Sequence, residues 1–226
     1  MSNNYGPRIV TDGLVLCLDA ADLNSYPKSG TSWYDLSGRN KIGSFNSYVD
    51  FDNNNNGSIV FNGSSARHTI GSLGLSGFTQ LTVNIWYYSN VDSSTALIRS
   101  LDGVNSFILH YRGAGFYLTA DNSAVSGYLG WQSTIPYNQW VMLTGTWNGS
   151  TMKLYQNSIK QNNELSFSGG VTNMLRSINL IELGYYFNTS QPTTNGKISQ
   201  ALIYNKALTN SEIRQNFEAT KGRFGL

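Results

Sequence analysis

The chain is poor in charge. Charged residues make up 12% of its 226 residues, about half the fraction typical of soluble proteins. The formal net charge is only +2, and the Lys and Arg residues are scattered along the sequence. A groove for nucleic acid and a membrane-binding face both need clustered cations, so neither nucleic acid nor a membrane is expected as a partner.

The chain also has one cysteine and no long apolar run. A single cysteine excludes an intrachain disulfide, and the place of Cys17 within the apolar segment 14–18 indicates a small core residue. No segment approaches the length of a membrane span, and the first residues lack the basic start and apolar core of a secretory signal. We therefore expect a soluble protein that is made in a cytoplasm.

Groups for catalysis are scarce as well. The few glutamates form no cluster, and His68 and His110 lie far apart in the sequence. Neither an HExxH nor a Gly-x-Ser-x-Gly pattern is present. Both histidines fit ordinary strand positions, so we predict that the protein is not an enzyme and requires no cofactor.

Alternation of apolar and polar residues is abundant, and it predicts many β-strands. The predicted strands are 13–19, 48–51, 58–62, 78–88, 96–101, 106–111, 115–120, 127–131, 140–147, 151–156, 178–186 and 196–204. The pair Asn148 and Gly149 is the strongest short-range hairpin signal in the chain. A single domain of the β-sandwich type is therefore expected.

The C-terminal segment predicts a strand followed by a short helix. In the strand, Ile198, Leu202 and Tyr204 are expected on one face, opposite Ala201 and Ile203.

The helix carries its own start signal. Thr209 and Glu212 have the spacing of a capping box, and Leu208 and Ile213 that of a hydrophobic staple. So short a helix is marginal alone and must pack on a larger surface.

Two loops leave alternatives open. In the polar connection 20–40, Trp33 either pins the loop to the sandwich or stacks on a sugar. In the loop 52–57, the residues Asp52, Asn54 and Asn56 match the start of a calcium loop, but the position for a bidentate glutamate is Gly63. A hairpin turn explains this loop better.

The order of several segments resembles the laminin-G-like group of the concanavalin A-like lectin/glucanase superfamily. These segments are 57–63, 78–86, 140–150, 153–157, 181–184 and 203–213. The resemblance implies a jelly-roll sandwich of two antiparallel sheets at 10–218, flanked by an N-terminal tail at 1–9 and a C-terminal tail at 219–226. The segments 12–22 and 33–38 are similar to the form found in structural proteins of tailed phages, often marine ones.

The resemblance to lectins and glucanases implies two kinds of function. Glucanases of the superfamily carry a Glu-x-Asp-x-x-Glu cluster, which this chain lacks. Carbohydrate binding would instead use exposed aromatic rings beside polar side chains. The expected stacking residues are Tyr88, Trp131, Tyr137 and Tyr186. Many laminin-G-like domains hold calcium at one rim, and the candidate ligands here are Asp52, Asn54, Asn56, Asp121 and Asn122.

The resemblance to phage proteins implies a non-enzymatic virion protein, and this is the leading expectation. It would decorate a capsid or belong to a fibre, contact other virion proteins or copies of itself, and leave the host by lysis. A carbohydrate-binding module for host glycans is the alternative. The candidate assembly contacts are Tyr5, Pro7, Arg223, Phe224 and Leu226, and docking of both chain ends onto their own sandwich is the competing interpretation.

Overall fold

The structure of the chain is a computed structural model. The described residues are 7–46, 49–64, 66–73, 78–102, 104–120, 125–167, 179–185 and 193–226. They form sixteen β-strands and one α-helix, and every strand pairing among them is antiparallel. The predicted all-β fold with one short C-terminal helix is confirmed.

The strands build two sheets of eight strands each. The first sheet has the spatial order β14 (Ile159–Ser166), β13 (Thr151–Gln156), β12 (Trp140–Trp147), β7 (Leu81–Ser89), β16 (Asn195–Tyr204), β5 (Ser58–Asn62) and β4 (Asp50–Asp52), and β1 (Leu14–Asp19) also pairs with β16. The second sheet has the order β11 (Val125–Leu129), β10 (Phe116–Ala120), β9 (Val104–Tyr111), β8 (Thr95–Asp102), β15 (Leu180–Leu183), β6 (His68–Gly71), β3 (Ile42–Phe45) and β2 (Ser32–Tyr34).

The main core lies between the sheets because side chains alternate along each strand. In β7, Leu81, Val83 and Ile85 point into this core, whereas Trp86 points to the outer face of the first sheet. A smaller apolar cluster covers that outer face. The first sheet is therefore buried on both sides over part of its area.

A β-bulge in β16 changes which side chains reach the main core. The register of β16 against β7 shifts directly after Ile198. Because an inserted residue reverses the faces of a strand, Ile198 joins Ala201 and Ile203 in the main core. Leu202 and Tyr204 lie on the outer face. The prediction that Ile198 shares their face is wrong for this reason.

Helix α1 (Asn210–Thr220) covers the outer face of the first sheet. The Oγ1 atom of Thr209 accepts a hydrogen bond from the Glu212 N–H (3.3 Å), and Glu212 Oε2 accepts one from the Thr209 N–H (2.8 Å). This is the predicted capping box. Leu208, before the helix, and Ile213, on its inner face, are both buried in the same apolar cluster, as the predicted staple requires.

The C-terminal end packs on the outer face of the first sheet. A 3-10 helix, Lys221–Phe224, follows α1 directly. The buried ring of Phe224 stacks on Trp86 and Trp140, with centroid distances of 4.2 and 4.7 Å. Removing this ring from water stabilises the packed end. The domain boundaries predicted from the sequence stay a prediction.

Several local predictions are confirmed. The strand pairs β4–β5 and β12–β13 form the two predicted hairpins. Cys17 and Trp33 are buried, so Trp33 anchors its loop in the core. In the described part of the chain, no helix has the length and apolar character needed to cross a membrane.

Candidate functional site

Loops from both sheets meet at one end of the sandwich, which we call the loop rim. Here β7, β9, β11 and β13 end and the strands that follow them begin. The rim includes the connection 130–139 between β11 and β12 and the tight turn between β13 and β14. Connecting loops on a rigid sandwich are common sites of binding, so the loop rim is a candidate location for a ligand site.

Arg112 holds three of the rim loops together. Its guanidinium forms an ion pair with Asp92 and donates a hydrogen bond of 2.6 Å to the carbonyl of Ile135. Its Nε donates to the Tyr111 hydroxyl (3.1 Å), and the group lies 6.0 Å from the ring centroid of Tyr137. The rim loops are thus tied to one another before any ligand arrives.

A cleft of about 400 Å³ opens at this rim beside edge strand β14. The lining residues are Gln132, Ser133, Gln156, Asn157, Ile159, Lys160, Gln161 and Asn162. Most of them carry a neutral amide or hydroxyl group. Ile159 contributes an apolar side chain that is 70% exposed. We call this site the amide cleft.

Gln161 organises the floor of the amide cleft. It is buried, and its Oε1 accepts hydrogen bonds from the backbone N–H groups of Gln132 (3.2 Å) and Ser133 (3.0 Å). The Ser133 hydroxyl lies 2.9 Å from the same oxygen and 2.8 Å from Gln156 Oε1. These bonds connect the 130–139 loop to β14. The cleft is therefore built from two distant parts of the sequence.

Several polar groups of the cleft remain available. Among the described residues, no hydrogen bond occupies the side-chain amides of Gln132 and Asn162 or the Nε2 of Gln156. An amide offers both donors and acceptors, so these groups can bind a ligand that has both. They converge on one concave surface next to Ile159.

The charge in the cleft is balanced. The Lys160 ammonium lies 3.0 Å from Glu164 Oε2, and this hydrogen bond and the lysine charge hold the pKa of Glu164 below its usual value. Lys160 is the only cationic residue among those that line the cleft. The cleft therefore presents neutral amides rather than an uncompensated charge.

The three described aromatic candidates lie outside the amide cleft. Tyr88 packs its edge against Trp140 and lies under the Lys197 ammonium, 5.2 Å from its centroid. Trp131 packs on the core, and its indole N–H donates to the His110 carbonyl (3.1 Å). Tyr137 is exposed on the loop rim.

The fourth candidate, Tyr186, lies outside the described residues.

The calcium candidates of the Asn-rich loop are engaged in bonds within the protein. Asp52 accepts hydrogen bonds from the Asn54 backbone and side chain, and its other oxygen lies 2.5 Å from Lys197 Nζ. Burial opposes the change, but the hydrogen bonds from Lys197 and Asn54 keep the pKa of Asp52 below its usual value. A cation would have to compete with Lys197. Asn54 and Asn56 belong to a short 3-10 helix.

The remaining calcium candidates, Asp121 and Asn122, lie outside the described residues. The described residues contain no group of three or more His, Cys, Asp or Glu side chains that could hold a metal. Calcium binding stays a prediction.

The assembly candidates differ in their surroundings. Arg223 places its guanidinium on both oxygens of Asp19, each at 2.8 Å, and Phe224 is buried, so both side chains are used within the domain. Pro7 is exposed and Leu226 is half exposed. Tyr5 lies outside the described residues. Docking of the C-terminal end onto its own sandwich is the arrangement observed.

The carboxylate of Glu182 is also engaged within the protein, in an ion pair with Arg99. Arg99 donates to its Oε2 from Nε (2.8 Å) and from a terminal nitrogen (2.5 Å), and both side chains are buried. A carboxylate in a buried ion pair is poorly placed to act as an acid or base. That the protein is not an enzyme stays a prediction.

Sequence reasoning missed the amide cleft. The sequence does indicate one wall of the cleft, because the segment 156–163 is rich in amide side chains around a turn. These residues are Gln156, Asn157, Gln161, Asn162 and Asn163. The contribution of the 130–139 loop depends on packing between the two sheets and has no signal in the sequence.

An exposed aromatic pair was also missed. Tyr117 in β10 and Tyr128 in β11 are directly paired, with ring centroids 4.4 Å apart, and Tyr128 is 60% exposed. The alternation of these strands does carry a signal, because Phe116, Leu118 and Leu129 point inward and leave the two tyrosines on the outer face.

The fold is similar to that of several receptor-binding domains. The binding domain of botulinum neurotoxin serotype D is 18% identical, with a TM-score of 0.70, and the alignment covers 92% of this chain and 51% of that one. The serotype G binding domain is 16% identical, with a TM-score of 0.69 and coverages of 90% and 50%. A further serotype D structure, solved in complex with N-acetylneuraminic acid, is 18% identical, with a TM-score of 0.68 and coverages of 92% and 51%.

This chain spans about half the length of these domains, and identities this low show a shared fold alone. No curated protein matches the chain in sequence. A family model described as the concanavalin A-like lectin/glucanases superfamily matches residues 62–214, which is more than half of the chain. The protein thus belongs to the concanavalin A-like lectin/glucanases superfamily and has a lectin-like jelly-roll fold.

Proposed function

We propose that the protein is a carbohydrate-binding module and that the amide cleft holds the sugar. The observation that carries this proposal is the convergence of neutral amides on a concave surface of about 400 Å³ beside an exposed isoleucine. Binding sites for small ligands have this character: a few oriented polar groups in a concave surface with an apolar part. The function proposed is binding without catalysis.

The chemistry of the cleft matches that of a sugar. Each sugar hydroxyl both donates and accepts a hydrogen bond, and the amides of Gln132, Gln156 and Asn162 can satisfy both. The apolar C–H face of the ring can pack on Ile159. Because Gln161 already fixes the two sides of the cleft, little ordering is needed on binding.

The balanced charge favours uncharged sugars. The Lys160 ammonium is paired with Glu164, so a carboxylated sugar would have to displace that pair. The serotype D domain was solved with N-acetylneuraminic acid, an acidic sugar. That structure supports binding of a sugar by a similar fold, but our proposal differs in the class of sugar.

The virion role predicted from the sequence remains an expectation. The neurotoxin domains described above support a lectin-like domain and do not support a capsid role. Location in a virion and contacts with virion proteins therefore stay predictions. Carbohydrate binding, the alternative predicted from the sequence, is the function that we propose.

A printed array of neutral and sialylated glycans tests the proposal. We expect wild-type protein to bind neutral glycans and the double variant Gln156→Ala/Asn162→Ala to bind them at least about tenfold more weakly, since each lost hydrogen bond is worth about 1 kcal/mol. The matched control is Gln215→Ala, an exposed amide on α1 outside the cleft. We also propose that calcium is not required, so a chelator should leave the signal unchanged.

Equal binding by the double variant and the wild type would reject the cleft as the site. Wild-type protein that binds no glycan on the array, with or without calcium, would reject the function itself.

A further inference from the structure

An aromatic platform lies on the strand hairpin that directly precedes the 130–139 wall of the amide cleft. The platform consists of Tyr117 and Tyr128 on the outer face of the hairpin β10–β11. Their centroids are 4.4 Å apart, and their planes are inclined by 36°. Strand β11 is the edge of the second sheet, and it packs beside β14, the edge strand of the first sheet that lines the cleft. The platform and one wall of the cleft are therefore carried by neighbouring edge strands, with the platform on the outer face of the second sheet.

The chain connects the two features over a short distance. Tyr128 and Gln132 are four residues apart, so their Cα atoms are separated by at most about 14 Å. Between them, Trp131 turns its ring toward the core. Gly130 follows Tyr128 by two residues and comes directly after the end of β11.

Gly130 places no side chain between the platform and the cleft. A Cβ atom added there would meet only the carbonyl oxygen of Gly113, at 3.5 Å, which is an ordinary contact. The backbone of Gly130 is not held in a left-handed conformation, so other residues could adopt it. Asn163 of β14 donates a hydrogen bond of 2.8 Å to the Gly130 carbonyl and fixes this stretch against the wall of the cleft.

We infer that the platform is a second subsite and that the ligand is an oligosaccharide rather than a single sugar. One sugar unit lies in the amide cleft, the chain of units crosses Gly130, and a further unit stacks on Tyr128. This inference rests on the proposed function. An aromatic ring stabilises such a ligand through the C–H face of a sugar, and the rigid tyrosine loses little conformational freedom on binding.

The stacking surface is preorganised. The Tyr117 ring supports the Tyr128 ring from the side, and the Tyr117 hydroxyl accepts a hydrogen bond from Thr119 Oγ1. A ligand therefore meets a surface that is already in place. The 60% exposure of Tyr128 also means that its removal changes the stability of the domain only slightly.

The test compares glycans of increasing length on arrays probed with wild type, Tyr128→Ala and Tyr128→Phe. Neutral monosaccharides and longer oligomers of the same sugars are the probes. For oligomers, we expect Tyr128→Ala to lower the affinity about tenfold, whereas the single sugars should lose less than about twofold. Tyr128→Phe, which keeps the ring, should bind the oligomers like wild type. Circular dichroism confirms that the variants are folded.

The possible outcomes distinguish failure of the second subsite from failure of the proposed carbohydrate binding. If wild type binds oligomers and Tyr128→Ala binds them equally well, the second subsite is overturned and the cleft stands. If Tyr128→Ala weakens single sugars as much as oligomers, Tyr128 belongs to one compact site and the inference is likewise overturned. If wild type binds nothing, the proposed function fails and this inference with it.

Discussion

Two buried histidines should make the protein lose stability in mild acid. His68 is fully buried against the rings of Trp33 and Phe45, whose centroids are 5.3 and 4.7 Å away. Among the described residues, neither of its ring nitrogens makes a hydrogen bond of normal geometry. The Gly43 backbone beside the ring opposes the effect of burial on the pKa, but burial is the larger cause. Burial lowers the pKa of His68 to about 3 and that of His110 to about 4. Both rings therefore stay neutral in the folded protein far below their ordinary pKa of about 6.5.

The sign of the effect follows from these lowered pKa values. Below about pH 6.5 the unfolded chain binds a proton at each histidine and the folded protein does not, so stability is full above this pH and falls as the pH decreases. Between about pH 7.5 and about pH 5, each histidine should cost about 2 kcal/mol of unfolding free energy, and both together about 4 kcal/mol. The loss ends only when the folded histidines themselves take up protons. Carboxylates contribute little in this window because they titrate mainly below it.

Urea unfolding at the two pH values measures this difference. We expect about 4 kcal/mol for wild type and about 2 kcal/mol for His68→Leu, in which only His110 still titrates. The comparison uses the change with pH within each variant, so any effect of the substitution on stability at neutral pH cancels. A wild-type difference below about 1 kcal/mol, or a His68→Leu difference equal to that of wild type, would refute the reasoning.

Three further predictions concern the outer face of the first sheet. Thr209→Ala should lower the unfolding free energy by about 1 kcal/mol through loss of the capping box, and unchanged urea unfolding would show that this cap contributes nothing. Phe224→Ala should cost about 3 kcal/mol because its ring is stacked and buried, whereas the control Leu226→Ala should cost less than about 0.5 kcal/mol; equal costs would contradict the packed C-terminal end. Burial and the nearby Asp19 carboxylate raise the pKa of the Cys17 thiol to about 12. An aromatic disulfide reagent should therefore react with it only in denaturant, and rapid reaction with the folded protein would disprove this.

Features that depend on neighbouring residues were predictable from the sequence. The capping box of Thr209 and Glu212 needs only residues three apart, and the hairpin at Asn148 and Gly149 needs only its turn. The same holds for the long alternating strand β7. These patterns involve only neighbouring residues, so they can be recognised in the sequence without knowledge of the fold.

Features that depend on distant residues were not predictable. The C-terminal end resembles a polar tail in sequence, yet Phe224 finds Trp86 and Trp140 far away in the chain. The bulge after Ile198 follows from pairing with β7, which a simple alternation does not reveal. In each case the outcome is decided by a partner more than fifty residues away in the chain.

The candidate site shows the same division. The amides at 156–163 are visible as a polar turn, but their convergence with Gln132 and Ser133 requires both sheets. The predicted stacking residues were chosen as aromatic side chains near loops, without knowledge of burial. Trp131 illustrates the difficulty, because its neighbour Gln132 lines the cleft while its own ring packs on the core.

The most direct test of the central claim observes the side-chain amides of the cleft while a sugar binds. In 15N-resolved NMR spectra, adding the neutral oligosaccharide selected on the array should shift the side-chain NH₂ signals of Gln132, Gln156 and Asn162. The signal of Gln215, an exposed residue of α1 whose amide donates to the Arg8 carbonyl, should not move. Saturable shifts of these three amides, with the Gln215 signal unchanged, are what we predict. Binding that leaves these three signals in place while shifting others would contradict the account.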